Sequence, residues 1–119
     1  MNPGEVWRVR LPTPTGHVQG GDRPAIILQA PSATAQLPTV LVVPLTSRLG
    51  AARFPGCVLI KPDPANGLSV PSLALVFQLR ALDRRDLVAR LGILEPEITD
   101  RIKDEAENLL EMGSRRNPK

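Results

Sequence analysis

Thirteen prolines stand among the 119 residues, joined by nine glycines. Each proline fixes φ and removes a backbone N–H, so it begins, ends or bends whatever element it enters. The chain therefore predicts short elements and frequent turns rather than long helices. Residues 5 to 11 alternate as a half-buried strand, with Trp7, Val9 and Leu11 on one face, and Pro12 ends it. Pro24 opens a second strand, running to Gln29, at the position where a missing N–H costs least. Thr39 to Val43 is a dense β-branched run that reads as a central strand buried on both faces and stopped by Pro44. Cys57 to Lys61 and Leu73 to Leu79 give further strands, the last able to continue through a bend or bulge to Leu82. Between them Asn66-Gly67 is a turn signal.

The C-terminal part changes period. Asp83 is placed to cap a short helix starting at Arg84. Ile98, Ile102, Ala106, Leu109 and Leu110 then recur at three and four, a helical stripe with Pro96 in its first turn and Gly113 beyond its end. Five or six short strands, a short helix and one longer helix predict a mainly β fold. Short antiparallel connections suggest a curled, barrel-like sheet. One domain is expected over residues 1–113, with 114–119 a flexible tail.

What is missing narrows the chemistry. Cys57 is the one cysteine, which excludes an intrachain disulfide, and His17 is the one histidine. Together they make no ordinary zinc site, so neither metal nor cofactor is expected. No apolar run is long enough to span a membrane, and the first residues do not read as a signal peptide; a cytoplasmic protein is the expectation. There is no phosphate loop, dinucleotide fingerprint or nucleophile elbow. Trp7, Phe54 and Phe77 are the only aromatics, which argues against nucleic-acid binding by rows of stacked rings. Any chemistry must use Arg, Thr, Ser, Gln or a carboxylate, which points toward phosphoryl or electrostatic catalysis.

Charge is uneven along the chain. Residues 1–94 hold ten basic and five acidic side chains, whereas residues 95–119 hold five basic and seven acidic ones. A basic body suits a polyanion, although the same excess serves solubility. Arg23, between Gly20-Gly21-Asp22 and Pro24, is an arginine of fixed direction whose planar fork suits a phosphate; the alternative is a pair with Asp22. Thr46 and Ser47 stand at the end of the buried strand, either to donate to a phosphate oxygen or to cap the turn. Arg48 follows them. Gln78 interrupts an apolar run and Arg80 follows on the same face; a ligand contact and a backbone-satisfying role stay open for the glutamine. His17, in a Gly-rich loop, is the only side chain whose ordinary pKa lies near neutrality.

Gly4-Glu5-Val6-Trp7, Gly16, Gln19-Gly20-Gly21-Asp22-Arg23-Pro24, Val43-Pro44-Leu45-Thr46-Ser47, Gln78-Leu79-Arg80 and Asp83 occur in that order. The set, spread over residues 3 to 112, resembles the MazF/PemK toxins of bacterial toxin–antitoxin pairs. The resemblance implies an SH3-like small barrel with a C-terminal helix, assembled as a homodimer. It implies a metal-independent endoribonuclease (an mRNA interferase) that cuts single-stranded RNA at short sequences. In that reaction the 2′-hydroxyl attacks phosphorus and leaves a 2′,3′-cyclic phosphate and a 5′-hydroxyl. It places the key arginine at Arg23 and the key threonine at Thr46, with Gln19, Ser47, Arg48, Gln78 and Arg80 toward RNA, and it implies a small acidic antitoxin as partner. The chain departs from the family at Gly16-His17-Val18-Gln19, where many members have Gly-Ser-Glu-Gln, and at Phe77, where many have Asp. His17 is then the candidate replacement proton carrier. Two other readings stay open at this point: a non-catalytic relative that binds RNA or protein on the same surface, and a CcdB-like toxin acting on DNA gyrase.

Overall fold

The computed structural model describes residues 1–12 and 21–111. Seven strands, β1 (Glu5–Leu11), β2 (Gly21–Ile27), β3 (Thr39–Thr46), β4 (Cys57–Ile60), β5 (Ser72–Leu75), β6 (Arg80–Asp83) and β7 (Leu87–Ile93), join two helices, α1 (Pro31–Thr34) and α2 (Pro96–Glu111). All pairings are antiparallel. The sheet runs β4-β5-β3-β2-β1-β7, and β6 pairs with the first half of β3.

This sheet is open, and the expected SH3-like barrel is corrected here. The path begins at β4 and ends at β7, and those two strands do not pair. The cause lies in the last third of the chain. β6, which precedes β7 in the chain, pairs with β3 through Thr39↔Asp83 to Val42↔Arg80 and forms no ladder with β7, whose one paired neighbour is β1. Opposite β7 stands the loop between β4 and β5, which contributes one backbone hydrogen bond, Ile93 N–H to the Ala65 carbonyl at 2.9 Å. A single bond from a turn is not a ladder.

Two apolar clusters fill the two faces. On one side Ile26, Val43, Leu45, Val58 and Ile60 pack under α2, whose Ile102 is fully buried. On the other Val9, Leu11, Ala25, Ile27, Val40 and Val42 pack with Trp7 and Leu87. Trp7, Val9 and Leu11 thus share a face as their alternation predicts. β7 escapes the sequence reading because Leu87-Val88-Ala89-Arg90-Leu91 has apolar side chains on both faces. The expected strand from Leu73 breaks at a 3-10 turn, Val76–Gln78. Asp83 caps as expected, accepting from Arg85 N–H at 2.8 Å, although the segment it starts is one 3-10 turn. Among the described residues no helix is long and apolar enough to cross a membrane.

The buried carboxylate Glu5 pins β1 to β7. It accepts from Trp7 Nε1 at 2.8 Å and faces Arg90 Nε at 3.5 Å. Burial raises its pKa, but the hydrogen bonds from Trp7 and Asn2 and the nearby N-terminus and Arg90 outweigh it, and the net shift is below the ordinary 4.5. A carboxyl with a depressed folded pKa contributes stability that is full above the unfolded value and is lost as pH falls through the folded one. Wild type should therefore exceed Glu5→Gln by about 1 kcal/mol at pH 7 in urea unfolding. The gap should narrow as pH drops below 4.5. A gap independent of pH would show that the carboxylate charge contributes nothing.

Candidate active site

The candidate site lies where the β2–β3 ladder ends. β2 and β3 pair as Ile27↔Val42, Ile26↔Val43 and Ala25↔Pro44, and there the pairing stops. Pro24 comes next on β2, and on the far edge of β3 Pro44 falls between the residues paired with β6 and those paired with β5. On that edge its missing N–H costs no ladder bond, so β3 continues through Pro44 to Thr46 rather than stopping, as the sequence alone suggested. Beyond the prolines β3 follows β5 and leaves β2. A cleft of about 260 Å³ opens between them, lined by Arg23, Pro24, Leu45, Thr46 and Ser47 on one side. Its other wall is Gly67 to Val70 with Ser72 and Leu91.

That wall is held by its own turn chemistry. Asp63 Oδ1 accepts from the N–H groups of Ala65 and Asn66 at 2.8 Å each. The buried Asn66 side chain donates to the Lys61 carbonyl at 2.9 Å and accepts from Leu68 N–H at 2.9 Å. Asn66-Gly67 is thus a turn, as its composition signals, but inside a long connection between β4 and β5.

Thr46 is 3% exposed, and its Oγ1 accepts from Arg48 N–H at 3.1 Å. This is the turn-capping role weighed in the sequence, and it does not exclude the functional one: a hydroxyl that accepts through a lone pair keeps its O–H to donate. Thr46 also lines a second cleft, of about 280 Å³, with Arg48, Arg53, Phe54, Phe77 and Gln78 among its walls. The fold therefore gathers Arg23, Thr46, Ser47, Arg48 and Gln78, from three separate stretches of chain, onto two clefts that meet at one threonine.

Three arginines, Arg23, Arg48 and Arg53, and four hydroxyl side chains, Thr46, Ser47, Ser69 and Ser72, line these clefts, and among the described residues no carboxylate does. Such a surface attracts phosphates. A third cleft, about 580 Å³, lies across the Asn66 turn between β4 and α2, lined by Lys61 and Arg101 together with Asp63 and Glu95. Its mixed charge gives no such preference.

Arg80 lines neither cleft. It sits half-buried on β6 opposite Val42, and burial lowers its pKa. His17 and Gln19 lie outside the described residues. Sequence reasoning missed Arg53, Phe54, Ser69 and Ser72, because nothing local marks a residue of the β3–β4 or β4–β5 connection, or the first residue of β5, as lining a cleft with Thr46. Cys57 donates to the Ala51 carbonyl at 3.3 Å, and burial, with Glu105, pushes its thiol pKa up, the opposite of what a nucleophile needs.

A family model described as PemK-like, MazF-like toxin of type II toxin-antitoxin system matches residues 2–110. The chain belongs to this family. The resemblance read from Gly4-Glu5-Val6-Trp7 to Asp83 is borne out. The relative named Endoribonuclease MazF, from Staphylococcus saprophyticus, is 31% identical over 113 residues, 95% of this chain and 90% of that one. The crystal structure of MazF from Deinococcus radiodurans superposes with a TM-score of 0.78 at 26% identity, covering 94% of this chain and 97% of that one. A MazE-MazF structure from the same organism gives 0.72 at 26% identity, with coverage of 95% and 97%. Toxin MazF-mt6 of Mycobacterium tuberculosis, 19% identical with a TM-score of 0.73 over 92% of this chain and 99% of that one, shares the fold.

Proposed function

We propose that this PemK/MazF family member is a toxin endoribonuclease that cuts single-stranded RNA at short specific sequences without a metal. The observation that carries this reading is the pair of clefts meeting at Thr46, cationic and hydroxyl-lined, in a chain of this family. RNA phosphates sit in the first cleft. The 2′-oxygen of one ribose attacks the adjacent phosphorus, the bond to the 5′-oxygen breaks, and the products are a 2′,3′-cyclic phosphate and a 5′-hydroxyl. Arg23 stabilises the extra negative charge on the phosphorane oxygens, and the Thr46 O–H donates to a nonbridging oxygen.

The attacking hydroxyl loses a proton and the leaving oxygen gains one. A guanidinium stays protonated at neutral pH and is a poor base. His17 is the proposed carrier, taking the 2′-proton as neutral imidazole and returning one to the 5′-oxygen. Ser47, Arg48, Gln78 and Gln19 are the proposed contacts to the strand on either side. The protein acts in the cytoplasm as a homodimer, and a small acidic antitoxin occupies the same cationic clefts.

The test is digestion of a long RNA by the purified protein in EDTA, with both new ends mapped. Fragments should begin with a 5′-hydroxyl, end in a 2′,3′-cyclic phosphate, and share a short sequence at the cut. Intact RNA, or fragments bearing 5′-phosphates, would overturn the reading.

A further inference from the structure

Two of the three aromatic residues, 23 positions apart in the chain, come together in the second cleft. The rings of Phe54 and Phe77 are 5.4 Å apart between centroids and tilted by 51°. The Arg53 guanidinium lies over the Phe54 ring at 4.6 Å, and its Nη1 reaches the Gly50 carbonyl at 3.5 Å. Phe77 keeps 36% of its surface exposed. A large ring left open to water beside a cationic plane is costly for a surface and useful for a ligand with a flat π-face. The same cleft holds the Gln78 amide, able to donate and accept. It reaches the first cleft through Thr46, so a base whose phosphate lies by Thr46 has a short path into it.

We propose that this second cleft is a nucleobase subsite. One unpaired base of the RNA stacks on the exposed face of Phe77, backed by Phe54 and Arg53, while Gln78 meets its edge. The inference rests on the RNA reading above, and names which part of the strand the second cleft takes. Phosphate contacts at Arg23 and Thr46 position the strand; the stacked base selects among sequences.

Binding without cleavage tests it. The probes are fluorescent single-stranded dodecamers of 2′-fluoro A, C or U, which lack the attacking hydroxyl, and an abasic dodecamer with the same phosphates. Wild type should bind the best base-bearing strand at least about tenfold more tightly than the abasic one, the scale of one base–aromatic stack. Phe77→Ala should abolish that difference while binding the abasic strand as wild type does, and Phe77→Tyr, which keeps the ring, should restore it. Equal weakening of all strands by Phe77→Ala would mean a structural role and overturn the subsite, as would no weakening at all. RNA that binds with the base-dependent difference but is never cut would sink the nuclease reading and leave the subsite standing. Cutting that persists in Phe77→Ala with unchanged rate and sequence preference would do the reverse. Wild-type protein that binds none of the strands would overturn both.

Discussion

Replacing Arg23 by alanine should lower kcat/KM for RNA cleavage by about a hundredfold or more, with the native circular-dichroism spectrum retained. Arg23 sits on β2 opposite Val9, half-buried, with its side chain on the cleft that Thr46 and Ser47 also line. Its β2 backbone pairs with β1 irrespective of the side chain, so the strand survives the truncation. What disappears is the one cation among the described residues that line that cleft. Loss of one preorganised contact to a transition-state charge costs about 3 kcal/mol, which is on the order of a hundredfold in rate. Arg23→Lys keeps the charge but not the planar fork and should recover only part of the rate. A folded Arg23→Ala protein that cuts RNA at the wild-type rate would remove Arg23 from the chemistry and shift the burden to Thr46 and residues of the 13–20 segment.

The residues of this site were legible for local reasons, and the clefts themselves were not. Arg23 is marked by the turn before it and the proline after it, and Thr46 by the end of a β-branched run. That Ala25↔Pro44 is the last pair of the ladder, with Pro24 just beyond it, depends on the register between β2 and β3, which no local pattern states. The same holds for closure of the sheet. A count of short antiparallel strands suggests a barrel, but whether β7 at one end of the sheet meets β4 at the other depends on pairings between distant segments, and here β7 pairs with β1 and β6 with β3. The helix α2 was readable because a 3.6-residue period needs no partner to be seen. The Phe54–Phe77 pair was unreadable because each ring is alone in its own segment, and three scattered aromatics argued only against nucleic-acid binding by rows of stacked rings.

The largest effect on stability is expected from Gly92→Ala. Gly92 is a buried residue of β7, and a Cβ there would collide with the Ala65 carbonyl and the Asn66 backbone. One turn residue on, Gly67 repeats the arrangement in reverse: its own Cβ would strike the Leu91 carbonyl, and its φ of +74° is one that side-chain-bearing residues rarely adopt. β7 and the Asx turn therefore lie backbone to backbone, each opened by a glycine, at the place where the open sheet comes nearest to closing. Neither surface can yield. The turn is locked by Asp63 and Asn66, and β7 is paired to β1 and bonded to Ala65. Overpacking against backbone should cost about 3 kcal/mol, lowering Tm by about 10 °C. Gly50→Ala, whose Cβ meets nothing within 4 Å, is the matched control and should change stability by at most about 0.5 kcal/mol. Because Gly67 and Leu68 form a wall of the Arg23 cleft, Gly92→Ala should also slow cleavage at temperatures where the protein is still folded. A Tm unchanged from wild type would mean that the turn moves away freely, and with it the wall that faces Arg23.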